Sequence, residues 1–322
     1  MRRFVLVTLL VFASAPMRGA VYQLAELSSE KIRSLDRTNA VVIIPGGIIE
    51  EHGPYLPTFT DGYWNERVTG RLANALSNAG RTVVIFPMIP LGNSGANDIG
   101  ARFNYPGTYA VSFRTLRSVF LDLATDLGEQ GFRNVFIIHL HGAPNHQRAL
   151  DQASDYFNDT YGGTMVNLTG LLPVLGSLDG EKSAQERAED GLVIHAGMDE
   201  TSMMLFVKPN LVTRSFLDAK PASGTTMPDL ITLAKDESWR GYFGSPRLAK
   251  ASKYRTGWGR AEALVIKYAL EILAGTNART IRRFGDEMLS SAPDVALDHT
   301  SLLHEDEVAE KQQQWLRAHS LQ

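Results

Sequence analysis

From residue 39 onward, short runs of β-branched and apolar residues alternate with segments whose apolar positions recur every three or four residues. Residues 40–44 are apolar and β-branched, and Pro45-Gly46-Gly47 interrupts them. Residues 63–79 carry Ala73 and Leu76 among polar neighbours at helical spacing. Residues 82–87 read as a second strand, and 112–130 as a helix with Leu116, Phe120, Leu123 and Leu127 on one face. Residues 134–140 form a continuous apolar run of the kind buried on both faces in a parallel sheet. Helices over 147–158, from 201 to 207 and over 258–274, with a strand over 164–168, complete the pattern. Strands alternating with helices predict an α/β layered fold with much parallel sheet. Residues 171–191 and 220–239 read as long loops, which in compact domains are often functional or at an interface. The tail after Ala292 carries a charge run over 304–311 and reads as a peripheral helix or a partly disordered segment, with no chemistry assigned to it.

The first twenty residues change the picture of where the protein works. Met1-Arg2-Arg3, an apolar run over 4–15 and small residues at Gly19-Ala20 follow the order of a secretory signal peptide. That gives an expected division into a signal peptide over 1–20, a main domain over 21–290 and a tail over 291–322, with the mature protein periplasmic or secreted. No later segment has the roughly 18 consecutive apolar residues of a membrane-spanning helix. The chain of 322 residues is 44% hydrophobic and 21% charged, as in ordinary globular proteins. A net charge of −3 without a basic cluster argues against nucleic acid or an anionic membrane as partner. The absence of cysteine excludes disulfides, thiolate metal sites and a cysteine nucleophile.

Three clusters carry candidate chemistry. The first runs from Glu50 to Asp61, where Glu50 and His52 project to one side of an extended chain and the Gly-Pro and Leu-Pro turns let Asp61 return toward them. Oxygen and nitrogen ligands without sulfur suit Zn²⁺, Mn²⁺ or Fe²⁺. Asp61 could equally cap the helix that follows, and His52 could be a hydrogen-bonded loop residue. The second cluster is His139-Leu140-His141-Gly142, two histidines on one face at a strand end. The third runs from His195 to Ser202 and sets a histidine and the carboxylates Asp199 and Glu200 on a turn before a helix, where Asp199 or Thr201 could instead be a cap. Joint occurrence decides for chemistry: of the five histidines before the tail, all but His146 fall in these clusters. His146 is expected to be a solvated residue at a helix start.

These segments resemble the creatininase (creatinine amidohydrolase) family. Its first signature is matched by Pro45, Gly47, Glu50, His52, Gly53, Pro54, Leu56, Pro57, Thr60 and Asp61. Tyr105-Pro106-Gly107-Thr108, residues 139–145, residues 195–202 and residues 241–249 are similar to its later elements, so the likeness covers roughly residues 35–275. The resemblance implies a three-layer α/β/α sandwich with a largely parallel central sheet and a centre of two divalent metal ions, Zn or Mn first and Fe also conceivable. By motif position it implies Glu50, His52, Asp61 and His141 as ligands, Asp61 bridging, with Glu200 completing or supporting the set and acting with His195 in catalysis. The implied chemistry is hydrolysis of a non-peptide C–N bond in a small amide, cyclic amide or formamide by a metal-bridging hydroxide, in a homo-oligomer that by analogy is a hexamer. The same site could serve a lactone or ester, or a small modified peptide, and a non-catalytic metal-binding homologue is the remaining alternative.

The sequence also departs from the family. An acidic ligand two residues after the histidine of the third motif is replaced by Ala143, and the asparagine of that motif by His139, which would add a ligand or a supporting contact. Pro144 lengthens the motif by one residue, and no tryptophan lies between Trp64 and Trp239 to enclose creatinine. Creatinine is therefore not the expected substrate.

Overall fold

A computed structural model describes residues 18–173, 182–292, 295 and 298–319. The expected signal peptide lies outside the described residues except for its last three. Five strands form one sheet: β1 Val21–Gln23, β2 Ala40–Pro45, β3 Thr82–Ile85, β4 Asn134–Ile138 and β5 Thr164–Asn167. All are parallel and lie in the order β1-β3-β2-β4-β5.

The pleat of β2 and β4 divides the core in two. Val41, Ile43, Phe136 and Ile138 face one side, where they meet α2 Thr60–Asn78, α6 Met198–Val207 and α8 Trp258–Leu273. Ala40, Val42, Ile44, Val135 and Ile137 face the other, against α3 Phe113–Glu129 and α4 Pro144–Tyr161. Two fully covered faces explain why β2 and β4 read as continuous apolar runs. The layers are those of an α/β/α sandwich, as the alternation predicts.

Helices also occupy the two stretches read as loops. Within 171–191, the described part holds α5 Ala184–Asp190, opened by a capping box between Ser183 and Glu186; residues 174–181 lie outside the described residues. Within 220–239 lies α7 Met227–Lys235, opened by a capping box between Thr226 and Asp229. Both helices are short, and neither repeats an apolar face often enough to show as periodicity. Elsewhere the boundaries shift by a few residues: α2 begins at Thr60 and α4 at Pro144, earlier than the apolar spacing suggests. The described residues open with β1 and the short helix α1 Ser29–Arg33, and close with α9 Phe284–Ser291 and α10 His299–Ala318. Among the described residues no helix is long and apolar enough to cross a membrane.

The carboxyl ends of β2 and β4 hold the functional loops, as expected for an open parallel sheet. Asn65 of α2 ties these ends together, donating to the Gly46 carbonyl (2.9 Å) and accepting from the Leu140 amide (3.0 Å). At Gly46 a Cβ would lie 2.1 Å from His139 Nε2, so only glycine lets β2 pass the histidine that ends β4.

Asp151 on α4 offers a test of the packing beneath this sheet. Burial raises its carboxyl to a pKa of about 7, against the opposing pull of Arg283 and a hydrogen bond from Asn167. The folded chain thus holds a proton that the unfolded chain loses near pH 4, and stability falls as the pH rises from about 4 to about 7. Asp151→Asn is expected to gain in melting temperature relative to wild type between pH 5 and pH 8, measured by thermal denaturation. An equal difference at both pH values would contradict this.

Candidate metal centre

The loop after β2 is closed by the Glu50 amide donating to the Thr58 carbonyl (2.9 Å), which turns the chain back so that Asp61 opens α2 beside Glu50 and His52. His141 comes from the loop after β4, while His195 and Glu200 flank the start of α6. The six sequence-predicted residues Glu50, His52, Asp61, His141, His195 and Glu200 therefore meet at one place. Ligand atoms of Glu50, Asp61 and His141 lie within 4.8 Å of one another, as do those of His52, Asp61 and Glu200, and those of Glu50, His52 and His195. Asp61 belongs to two of these groups. Its Oδ2 is 3.0 Å from His141 Nδ1 and its Oδ1 is 3.4 Å from His52 Nε2.

Each imidazole has one nitrogen committed to a backbone carbonyl. His52 Nδ1 donates to the Glu50 carbonyl (3.1 Å), His141 Nε2 to that of Ser94 (2.5 Å) and His195 Nε2 to that of Glu51 (2.6 Å). The other nitrogen of each ring faces the carboxylates, and it is the atom each ring would offer to a cation on giving up its proton. His52 Nε2 and Glu50 Oε2 are buried without a hydrogen-bond partner. The second oxygen of Glu50 accepts from the Ala96 amide (2.6 Å), and Glu200 Oε2 from the Ala196 amide (2.5 Å). Ser94 and Ala196 hold positive φ values of 60° and 50°, an uncommon conformation for residues with a Cβ. That conformation aims the Ser94 carbonyl at His141 and the Ala196 amide at Glu200.

Electrostatics confirm a demand for positive charge. Burial opposes ionisation of all three imidazoles, yet their carboxylate neighbours outweigh it. Asp61 and Glu200 hold the His52 pKa up at about 9, Glu50 and Asp61 hold His141 at about 9, and Glu50 and Glu51 hold His195 at about 10. Burial pushes the Asp61 carboxyl up, but His141 and His52 prevail and keep it ionised. Burial raises the Glu200 carboxyl. A nest of carboxylates and imidazoles of this kind accepts divalent cations in exchange for protons. The donor set fits such ions.

Helix capping explains neither acidic residue of the third cluster nor Asp61: the residues preceding α2 and α6, Phe59 and Gly197, occupy the N-cap positions without a side-chain cap. His146 corrects the expectation of a solvated helix-start residue. It is fully buried, accepts from the Asn93 amide (3.2 Å) and lies 3.1 Å from His139. Burial and the neighbouring histidines keep both rings neutral, with His139 near pKa 3 and His146 well below its ordinary value. His139 accepts from the Gly47 amide (3.2 Å) and belongs to none of the three ligand groups. It supports the loop after β2. Ala143, the N-cap of α4, lines the cavity with a methyl group that offers no ligand.

Two acidic residues escaped sequence reasoning. Glu51 is buried, with Oε1 3.3 Å from His195 Nε2 and Oε2 accepting from the Gly53 amide (3.0 Å). Strand alternation puts it opposite its neighbours, and no local pattern marks it; in the fold Gly107 and Gly241, both of positive φ, lie where a Cβ would press on the Glu51 side chain. Asp98, raised by burial to about 7, sits in a short turn that no periodicity marks.

The cluster forms the floor of a cavity of about 510 Å³. An all-parallel sheet with buried carboxylates and imidazoles at the carboxyl ends of its strands is the arrangement of a metal-binding protein of the α/β/α class. The sequence matches the family described as creatininase, creatinine amidohydrolase, over residues 25–267, and the chain belongs to that family. Two mycofactocin precursor peptide peptidases are related to it. That of Mycobacterium ulcerans (strain Agy99) is 24% identical over 204 residues, 62% of this chain and 71% of the relative. That of Mycolicibacterium smegmatis (strain ATCC 700084 / mc(2)155) is 23% identical, over 57% of this chain and 64% of the relative. Solved structures share the fold. A Bacteroides fragilis NCTC 9343 protein assigned as a creatinine amidohydrolase aligns with a TM-score of 0.54 at 22% identity, over 80% of this chain and 98% of that one. A mutant creatininase complexed with creatine aligns with a TM-score of 0.55 at 19% identity, over 78% and 98%. A creatininase with manganese aligns with a TM-score of 0.53 at 18% identity, over 79% and 96%.

Adding Zn²⁺ or Mn²⁺ to chelator-treated protein is expected to raise its melting temperature, by the equivalent of about 2.7 kcal/mol at a hundredfold excess over Kd. Asp61→Ala, which removes the oxygens shared by two of the ligand groups, is expected to abolish that rise. A variant still stabilised like wild type would show that Asp61 holds no metal.

Proposed function

We propose that the chain hydrolyses a non-peptide C–N bond in a small amide, cyclic amide or formamide, with two divalent ions held by Glu50, His52, Asp61, His141 and Glu200. The observation that carries this reading is Asp61, whose two oxygens face His141 with Glu50 on one side and His52 with Glu200 on the other. Names of solved relatives include a manganese form and a Zn-Zn form of creatininase, which favours Mn or Zn as the metal. Bound ions of this kind polarise a carbonyl and lower the pKa of a coordinated water toward neutrality.

The chain's own residues supply positioning and proton transfer. Glu50 is anchored by the Ala96 amide and Glu200 by the Ala196 amide, so neither carboxylate has to reorganise to meet a cation. His195 Nε2 is committed to the Glu51 carbonyl, which leaves Nδ1, 3.6 Å from Glu50 Oε1, as the atom at which His195 takes up and returns a proton. In amide hydrolysis that proton goes to the leaving nitrogen. Glu200 lines the cavity beside it and is the second carboxylate available to the reaction.

Creatinine is not the substrate we propose, because Ala143 and the lack of tryptophan between Trp64 and Trp239 remove features the family uses for it. A second reading, an amidase for a small modified peptide, draws support from the named activity of the mycobacterial relatives. Export to the periplasm or beyond is also proposed, on the basic start and apolar run of residues 1–15.

The test is a panel of amides, cyclic amides, formamides and lactones, assayed with added Zn²⁺ or Mn²⁺. Turnover of an amide is expected, together with about two equivalents of bound metal; less than about one equivalent would sink the reading. His195→Ala is expected to retain metal and lose about 10²- to 10⁴-fold in kcat. Full activity in that variant would remove His195 from the mechanism, and loss of its metal would make it a ligand instead.

A further inference from the structure

The family match ends at residue 267, yet the cavity above the cluster is closed by residues beyond it. Phe284 and Met288 of α9, with Val295, form one wall, and Asp298, His299 and Thr300 at the start of α10 form its rim. Phe284 and Met288 belong to neither main core; with Ala292 and Val295 they make a small apolar cluster of their own.

The wall is firmly attached. Arg283 makes a two-pronged contact with Asp155 of α4 at 2.7 Å for each nitrogen, which fixes the start of α9. Glu305 of α10 accepts from Asn93 Nδ2 (2.6 Å) and the Phe113 amide (2.9 Å). Asp298 caps α10 and accepts from Ser94 Oγ (3.3 Å), beside the carbonyl that orients His141.

The lining of the cavity is mixed: the carboxylates and imidazoles of the cluster share it with Asp98 and Asp298 and with apolar side chains that include Phe284, Met288 and Val295. At about 510 Å³ it falls in the range of pockets that enclose drug-sized ligands, so one small ring would leave most of it empty. Among the described residues lining it there is no lysine or arginine to meet a second anionic group.

We propose that Phe284, Met288 and Val295 form a specificity wall, and that the substrate is a neutral amide carrying an apolar substituent of several carbons which packs on them. This rests on the cavity being the substrate site of the amidohydrolase. The amide end lies at the cluster and the apolar substituent points toward α9.

The test is binding of acetamide, butanamide and hexanamide to the full-length protein, measured by calorimetry in zinc-loaded and metal-free forms. Dissociation constants are expected to fall about two- to fourfold per added methylene in both forms. Met288→Asp and Phe284→Ala, with metal content checked against wild type, are each expected to flatten that dependence. Affinity independent of chain length, or no binding of any amide, would overturn the proposal. So would tighter binding of 6-aminohexanamide than of hexanamide, since Asp98 and Asp298 would then be selecting a cation. Length-dependent binding with no hydrolysis of any amide would leave the apolar wall standing as a binding surface and overturn both the amide substrate and the proposed activity.

Discussion

Several buried carboxylates must share one small volume, and the rest of the structure around the site answers to that constraint. Glu50, Glu51 and Asp61 are almost wholly withdrawn from water, with Glu200 at their edge. Burying a carboxylate costs several kcal/mol unless positive charge and hydrogen bonds compensate. Protons on three imidazoles answer part of that demand, and divalent ions would answer it better. The hydrogen bonds from Ala96, Gly53 and Ala196 settle individual oxygens and leave others aimed inward.

The fold meets this constraint with rigid elements. Parallel strands end side by side, so the loops after β2 and β4 open onto the same edge, and α6 brings its first turn to them. Asn65 and the His139–His146 pair lock those loops from below. Two left-handed residues, Ser94 and Ala196, spend backbone strain on orienting a carbonyl and an amide. Strain of this type persists only where surrounding contacts impose it.

The sheet and its long helices were legible because burial on both faces writes itself as β-branched runs and three-to-four spacing. The six residues of the cluster were legible as well, since histidines concentrated in three motifs are hard to explain otherwise. What escaped has a common physical cause. Short helices such as α5 and α7 rest on capping boxes more than on apolar periodicity, and Ser183-x-x-Glu186 and Thr226-x-x-Asp229 were the available signals. Glu51 and Asp98 are placed by loops, and His146 is buried through tertiary contacts that no local pattern records. The tail offered only charge, yet Glu305 and Asp298 from it brace the very loop that orients His141.

Membership in the creatininase family fixes the class of chemistry, while Ala143 and the cavity lining beyond residue 267 are where this chain's choice of substrate is proposed to lie. Everything proposed for the reaction depends on Asp61 standing between two cation positions. The most direct measurement is a crystal structure of metal-loaded protein with anomalous data collected at the zinc and manganese edges. The account predicts two anomalous peaks, one on the Glu50–His141 side of the Asp61 carboxylate and one on its His52–Glu200 side. A single peak, or peaks away from Asp61, would contradict it.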